Sequence, residues 1–217
     1  MNELTALVIG ATGATGSALV IQLLEDSRFK SVVVFSRRAL SITHAKLTCH
    51  IVDFNNPQLW ADLVKGDVLF SALATTLKQA GSQKEQYKID YTYQYQTAEM
   101  AATNGVEAYV LVSAMGANEN SMLFYPRIKG QLDKAVASLP FKQIHIFRPG
   151  FLLRQPDKIR PMEKLGIAII HGFNKLGLLK SQKALPVEVL AQKMRDVLFK
   201  PTTTNFQVYS LDSIFDL

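Results

Sequence analysis

Short apolar runs, several of them rich in β-branched residues, recur along the chain and predict one strand each. Segments with apolar positions at helical spacing separate most of these runs. Strands that are apolar throughout and alternate with helices are typical of a parallel sheet covered on both faces, which is a doubly wound α/β fold of the Rossmann type. The predicted strands are 4–9, 31–35, 46–52, 67–73, 108–114, 143–147 and 206–211, and the predicted helices are 14–26, 84–104, 127–138 and 187–199.

The segment 152–183 interrupts this rhythm, because it begins with an irregular sequence and continues into an apolar stretch. An insertion after a late strand is a common place for a loop that covers a substrate. The alternative is a surface excursion that packs on its own helix, and the sequence leaves both open. Polar residues interrupt the apolar stretch 165–179, so we expect a helix of the fold there rather than a membrane span.

The composition fits one folded domain. The chain has 217 residues, of which 48% are hydrophobic and 19% charged, and we expect a single domain over residues 1–217. The single cysteine, Cys49, excludes an internal disulfide and agrees with a reducing compartment. The N-terminal stretch carries an acidic residue and runs straight into a strand. These features predict a cytoplasmic protein without a signal peptide.

The formal net charge of +6 favours acidic partners. The lysines and arginines are scattered along the chain, so we expect no nucleic-acid-binding face. A phosphorylated cofactor would account for part of the positive charge. The histidines show no spacing typical of metal ligands, so no metal site is expected. They are His44, His50, His145 and His171, and the apolar surroundings of His145 indicate a strand residue rather than a base.

The sequence GATGATG places three glycines at steps of three between the first predicted strand and the first predicted helix. In a dinucleotide-binding turn, the middle glycine lets the backbone approach a pyrophosphate, and the third lets the helix pack closely on the sheet. The N–H groups at the start of the helix then face the phosphates. The alternative is a turn in which glycine only relieves crowding. The predicted phosphate-binding residues are Gly10, Thr12, Gly13, Ala14, Thr15 and Gly16.

The residues after the second strand indicate which dinucleotide is bound. A site that prefers NAD usually has an acidic residue here, which binds the ribose 2′-hydroxyl. This chain has Ser36, Arg37 and Arg38 instead, and a guanidinium can hold a 2′-phosphate through charge-assisted hydrogen bonds. The sequence therefore favours NADP over NAD, and the alternative is a pair of solvated loop arginines.

Two further segments are predicted to hold the adenosine half of the cofactor. At the end of the third strand, Asp53 could accept a hydrogen bond from the adenine amino group, and the Phe54 ring could pack beside the base. The fourth strand ends in SALATTL, whose small side chains would allow the backbone to pass close to the adenosine. The residues assigned to this role are Ala72, Leu73 and Ala74.

Three side chains have the chemistry that hydride transfer to a carbonyl needs beside the cofactor. Tyr125 and Lys129 are four residues apart, which places them on one face of a helix, and Ser113 ends the fifth strand. The tyrosine hydroxyl would donate a proton to the developing alkoxide, while the serine hydroxyl would hold the same oxygen. The lysine ammonium would stabilise the tyrosinate and bind the nicotinamide ribose.

With these motifs the chain resembles the short-chain dehydrogenase/reductase superfamily in its atypical NAD(P)-binding branch, most closely the oxidoreductases related to Tat-interacting protein 30. The matching segments are GATGATG, SRR, DF, IDYTY, SAMGAN, YPRIKG and FRPGFLL. The resemblance implies a Rossmann-like core, an NADP(H) cofactor and the roles given above to Ser113, Tyr125 and Lys129. It also implies that the turn from Arg148 to Gly150, with Pro149 and Gly150 as cofactor-binding residues, follows the sixth strand near the nicotinamide.

The chain departs from the pattern of this family at three positions. Ala114 follows Ser113 where relatives often have a second serine. Pro126 directly follows Tyr125, which disfavours helical geometry at the tyrosine and predicts that the helix starts there. Asp90 stands at the position nearest to the asparagine that completes the proton relay in many dehydrogenases.

Together the motifs predict an NADP(H)-dependent oxidoreductase that transfers a hydride between the nicotinamide and a small carbonyl or alcohol. One alternative is a redox sensor or regulatory protein that binds NADPH with little or no turnover, which Pro126 and the missing second serine would allow. Another is an epimerase or dehydratase with a tightly held cofactor. We expect a small-molecule substrate, no membrane span, and a monomer or a homodimer.

Overall fold

The computed structural model describes residues 3–153, 184–201 and 204–217. Within them, the strands are β1 (Leu4–Ile9), β2 (Phe29–Ser36), β3 (Leu47–Ile51), β4 (Val68–Ser71), β5 (Ala108–Val112), β6 (Gln143–Arg148), β7 (Leu152–Leu153), β8 (Leu185–Pro186) and β9 (Phe206–Ser210). One parallel sheet has the strand order β3-β2-β1-β4-β5-β6-β9. A separate parallel pair is formed by β7 and β8.

Helices connect the strands and cover both faces of the sheet. The predicted helix over 84–104 is interrupted by a π-helical turn at Lys88–Thr92, whereas the other predicted helices are confirmed with small shifts at their ends. The α-helices are α1 (Ala14–Glu25), α2 (Leu77–Ala80), α3 (Gln83–Tyr87), α4 (Tyr93–Thr103), α5 (Phe124–Ala137), α6 (Val187–Asp196) and α7 (Asp212–Phe215), with 3-10 turns at Pro57–Leu59, Ala61–Leu63 and Val197–Phe199.

Successive residues of the central strands pack into two different apolar clusters. Ala6 and Val8 of β1 belong to the cluster formed with α1 and α6. Leu7 and Ile9 belong to the cluster formed with α4 and α5. All four side chains are fully buried, which explains why the strand is apolar throughout instead of alternating with polar residues. The predicted doubly wound α/β fold is confirmed.

The winding of the sheet reverses at β1, which pairs with both β2 and β4. In open α/β sheets, ligands bind at such a point, in the crevice outside the carboxyl ends of the strands. The loops that follow β1, β4, β5 and β6 all start at this edge, because the strands are parallel. The fold therefore brings together the segments that carry the predicted cofactor-binding and catalytic residues.

Most of the segment 152–183 lies outside the described residues, and so do the predicted covering loop, the apolar stretch 165–179 and His171. Its first two residues form β7, which pairs with β8. Among the helices of the described ranges, none has the length and apolar character that a membrane crossing requires.

Candidate functional site

The turn between β1 and α1 is shaped by close backbone approaches. Gly10 has a φ of +83°, and a Cβ at this residue would lie 2.4 Å from the carbonyl carbon of Ala72. A Cβ on Gly16 would lie 2.2 Å from the carbonyl oxygen of Gly10. These two glycines therefore allow β1, α1 and the end of β4 to pack in direct contact, as predicted for the third glycine of the motif.

A cleft of about 970 Å³ opens at the carboxyl edge of the sheet. The start of α1 contributes Thr12, Gly13, Ala14 and Thr15 to its lining. Gly13 is the N-cap of α1 and supplies no side-chain acceptor to the first N–H groups of the helix. Free N–H groups and the positive end of the helix dipole attract anions. This part of the cleft fits the pyrophosphate of a dinucleotide.

The loop after β2 brings one of its two arginines to the cleft. Arg38 lines the cleft, whereas Arg37 is exposed and lies outside the lining found in the described residues. Ser36 is buried below them, and its Oγ accepts a hydrogen bond from the backbone N–H of Arg38 at 3.4 Å. Of the predicted pair, Arg38 is therefore the one that borders the cleft.

The structure places Asp53 and Phe54 away from the cleft lining of the described chain. The Phe54 ring is 5% exposed and packs against Trp60 and Tyr93. The Asp53 carboxylate accepts hydrogen bonds from two neighbouring asparagines, which lower its pKa. The prediction that Phe54 packs beside adenine is not met, because the ring is already packed in the core.

The ends of β4 and β6 reach the cleft through small residues. Ala72 and Ala74 line it after β4, and Pro149 and Gly150 line it after β6. Leu73 points the other way and packs against the cluster formed with α4 and α5. The residues predicted after β4 and after β6 therefore border one continuous space, except for Leu73.

Ser113 and Tyr125 both line the cleft, as the predicted catalytic pair requires. The α5 helix begins at Phe124, so Tyr125 and Pro126 lie in its first turn. Proline fits there because the first N–H groups of a helix have no intrahelical partner, and the predicted helix start is confirmed. Burial raises the pKa of the Tyr125 phenol, and the charge of Asp90 raises it further.

Lys129 is fully buried and does not belong to the cleft lining of the described chain. Its Nζ donates a hydrogen bond to the backbone oxygen of Val112 at 3.0 Å. Burial lowers its pKa, while the negative charges of Asp90 and Asp133 act in the opposite direction. The structure therefore places the ammonium of Lys129 behind the cleft wall, and its predicted contact with the nicotinamide ribose stays a prediction.

Sequence reasoning missed Asp133 and the ion pair that it forms with Arg148. Arg148 Nε donates to Asp133 Oδ2 at 2.9 Å, and the Ser113 hydroxyl lies close to the same buried carboxylate. Asp133 could have been found from the sequence, because it follows Lys129 by four residues and such residues are neighbours on one face of a helix. His145 is confirmed as a strand residue: it is buried in β6, and burial lowers its pKa to about 4.

Comparison with known proteins gives consistent matches. Residues 10–157 match the family described as NAD(P)H-binding. "Protein FMP52-1, mitochondrial" of Scheffersomyces stipitis is 36% identical over 159 residues, which are 71% of this chain and 70% of the relative. "Protein fmp52-1, mitochondrial" of Aspergillus oryzae is 37% identical over 177 residues, 78% of this chain and 74% of the relative.

A solved structure supports the fold. The structure described as "MoeE5 in complex with UDP-glucuronic acid and NAD" has a TM-score of 0.73 and 18% sequence identity. The match covers 95% of this chain and 76% of that chain. At this identity the similarity concerns the arrangement of the strands and helices.

The relatives correct the predicted location. Both FMP52-type proteins are named as mitochondrial, so the prediction of a cytoplasmic protein is wrong. A single cysteine argues against a disulfide-stabilised fold but does not identify a compartment. The closer relationship to Tat-interacting protein 30 stays a prediction.

Proposed function

The chain belongs to the NAD(P)H-binding family, and from this premise we propose that it is an NADP(H)-dependent oxidoreductase acting on a small carbonyl or alcohol. The observation that carries the proposal is one continuous cleft. A phosphate-binding helix start, the cationic side chain of Arg38, and the hydroxyls of Ser113 and Tyr125 all border it. Binding groups and a proton donor in one cleft are what hydride transfer to a carbonyl requires.

Each part of the cleft has a role in this proposal. The N–H groups at the start of α1 would hold the pyrophosphate, and Arg38 would pair with the 2′-phosphate. Pro149 and Gly150 would border the nicotinamide. The cofactor, when bound, would supply or accept the hydride.

The protein itself would handle the proton. In the reducing direction, the Tyr125 hydroxyl would give its proton to the substrate oxygen while the carbonyl carbon gains the hydride, so that the product is an alcohol. The Ser113 hydroxyl would hold the same oxygen in place. Lys129, buried behind this pair, would supply positive charge that stabilises the tyrosinate formed.

The test is NADPH oxidation by the purified full chain with a panel of aldehydes and ketones. We expect substrate-dependent loss of NADPH absorbance with at least one carbonyl class. If the protein binds NADPH but oxidises it with none of them, an oxidoreductase function is rejected for those classes.

The choice of cofactor can be tested with neighbouring arginines. Arg38→Ser should weaken NADPH binding by about 10- to 100-fold, since a charge-assisted pair with the 2′-phosphate is lost. Binding of NADH, which lacks that phosphate, should change little. Fluorescence titrations with both nucleotides provide the measurement.

Arg37→Ser is the matched control, because Arg37 is exposed and outside the described lining of the cleft. It should bind NADPH as the parent does. Equal losses of NADPH and NADH affinity in Arg38→Ser, or a selective NADPH loss in Arg37→Ser, would refute the role given to Arg38.

A regulatory protein that binds NADPH with little turnover is the second candidate. The burial of Lys129 favours it, because the lysine is fully buried and donates to the backbone oxygen of Val112 instead of lining the cleft that the structure describes. On this hypothesis NADPH raises the melting temperature but no carbonyl is reduced.

We further propose a mitochondrial location, supported by the names of the two FMP52-type relatives. A tagged full-length chain should sediment with mitochondria on subcellular fractionation, and recovery in the cytosolic fraction alone would contradict this.

A further inference from the structure

The cleft has an apolar end at the loops after β5 and β6. Met115, Phe151 and Leu152 line it there, and we call these three residues the apolar end. Met115 is 38% exposed and Phe151 is 45% exposed, so both keep apolar surface open to the cleft. Single exposed apolar residues are common on protein surfaces. Apolar side chains gathered in a cleft are instead typical of a site for a small organic ligand.

Backbone hydrogen bonds hold the apolar end in place. The Met115 N–H donates to the backbone oxygen of Pro149 at 3.0 Å, which joins the loop after β5 to the turn after β6. The Met115 sulfur would lie 3.9 Å from a Cβ on Gly150, so its side chain lies against that turn. The backbone oxygen of Phe151 accepts from the Leu185 N–H at 2.9 Å. The backbone that carries both side chains is therefore held by the fold itself.

Positive charge lies elsewhere in the cleft. Arg38 alone carries a charge among the lining residues that the structure describes, and it follows β2. Two strands, β1 and β4, separate β2 from β5 in the sheet. Neighbouring strands are about 4.8 Å apart, so the ends of β2 and β5 are about 14 Å apart. The wall between them, after β4, adds the neutral side chains of Thr75, Thr76 and Gln79.

This distribution of charge favours one kind of substrate over another. A carboxylate or phosphate that leaves water needs a cation or several hydrogen-bond donors to replace its hydration. The side chains of the apolar end are hydrocarbon, an aromatic ring and a thioether, which supply neither. A hydrocarbon group gains by leaving water for such a surface. Next to Ser113 and Tyr125, the cleft is therefore suited to an apolar group rather than an anionic one.

We propose that the substrate is an uncharged aldehyde or ketone whose hydrocarbon chain or ring lies against Met115 and Phe151, and that these two side chains determine the preference for it. The inference rests on the proposed function, because the carbonyl group is taken to meet Ser113 and Tyr125. The carbonyl carbon gains a hydride from NADPH, and its oxygen gains the proton of Tyr125, which solvent then replaces. The products are the alcohol and NADP⁺.

Three aldehydes test this preference in the parent protein. Octanal has a longer chain than butanal, and 8-oxooctanoate has the chain length of octanal with a carboxylate at its far end. We expect kcat/KM for octanal to exceed that for butanal by about 10- to 100-fold, since each buried methylene contributes a factor of about two to four. It should exceed that for 8-oxooctanoate by about tenfold or more. Equal values for butanal and octanal, or a preference for 8-oxooctanoate, would overturn the proposal.

Phe151→Ala and Met115→Ala test whether these two side chains carry the preference. Each should lower kcat/KM for octanal by about tenfold, because apolar contact with the chain is lost. The value for butanal should change much less, since its short chain covers less of these side chains. Both residues are partly exposed, so the melting temperature should stay close to that of the parent. A parental ratio of octanal to butanal in both variants would overturn the proposal.

Met122→Ala is the matched control for Met115→Ala. Met122 belongs to the same loop between β5 and α5, is 96% exposed and lies outside the cleft lining of the described chain. The variant should keep the parental ratio of octanal to butanal. A loss as large as that in Met115→Ala would overturn the assignment of the preference to the cleft.

Butanamide and octanamide separate this inference from the proposed reaction. An amide offers a carbonyl oxygen to Ser113 and Tyr125 but is not reduced by NADPH, so its binding can be measured without turnover. In calorimetric titrations with saturating NADPH, octanamide should bind about tenfold or more tightly than butanamide, and Phe151→Ala should remove most of that difference. This result without aldehyde reduction would reject the proposed reaction and keep the apolar site. Aldehyde reduction with equal binding of both amides would keep the reaction and overturn the inference.

Discussion

Replacing Tyr125 with phenylalanine is expected to lower the rate of NADPH-dependent carbonyl reduction by about 100- to 10,000-fold, the usual contribution of a positioned proton donor. The change removes one hydroxyl from a ring that lines the cleft in the first turn of α5. NADPH affinity and the melting temperature should be nearly unchanged, because the ring itself stays. Steady-state kinetics with the best carbonyl of the panel give the rate.

Tyr95→Phe is the matched control for this experiment. Tyr95 is half-buried, its ring stacks on Tyr91, and its hydroxyl donates to Glu99 at 3.3 Å, away from the described lining of the cleft. It should keep the parental rate. A parental rate in Tyr125→Phe would contradict the proposed mechanism, while NADPH binding without turnover in the parent would support the regulatory alternative.

The fold could be predicted because a strand that is buried on both faces consists of consecutive apolar residues. Ala6 to Ile9 are consecutive, apolar and fully buried, so the strand is visible without any tertiary information. The π-helical turn at Lys88–Thr92 is different. A π-helical turn differs from an α-helix in its backbone hydrogen bonds, which apolar spacing does not reveal, so the pattern over 84–104 predicts one continuous helix.

The turn between β1 and α1 could also be predicted, because glycines are needed where the backbone has a positive φ or passes very close to another segment. The directions in which side chains point could not be predicted as well from the sequence. The ring of Phe54 packs in the core because Trp60 and Tyr93, from two later segments, surround it. Arg37 and Arg38 are adjacent in the sequence, and the course of the loop after β2 decides which of them faces the cleft.

The surroundings of Lys129 show the clearest limit of sequence reasoning. Its position is predicted by the spacing from Tyr125, but its hydrogen-bond partner, the backbone oxygen of Val112, comes from β5. Asp90 lies in the π-helical turn, and Arg148 reaches Asp133 from the end of β6. These charged groups come together only after the sheet has formed. Local spacing therefore predicts the position of Lys129 on the helix but not its burial.

Substitutions at Gly10 and Gly13 can distinguish the structural role of the glycine turn from its proposed role in cofactor binding. Gly10→Ala would place a Cβ 2.4 Å from the backbone of Ala72 at a φ of +83°. We expect this strain and overlap to cost about 4 kcal/mol. The melting temperature should then fall by about 10 °C. Thermal unfolding without cofactor provides the measurement, and a parental melting temperature would contradict the close packing of β1 on β4.

Gly13→Ala is expected to weaken NADPH binding by about tenfold or more, because the new methyl group stands where the backbone must approach the pyrophosphate. The fold should tolerate it: the nearest atom to the new Cβ, the Gly10 oxygen, is 3.3 Å away, and φ is −83°. Fluorescence titration measures the affinity, and thermal unfolding without cofactor confirms that the variant is folded. If a folded Gly13→Ala bound NADPH as tightly as the parent, the phosphates would not be held against the N–H groups at the start of α1, and the binding role given to this turn would be wrong.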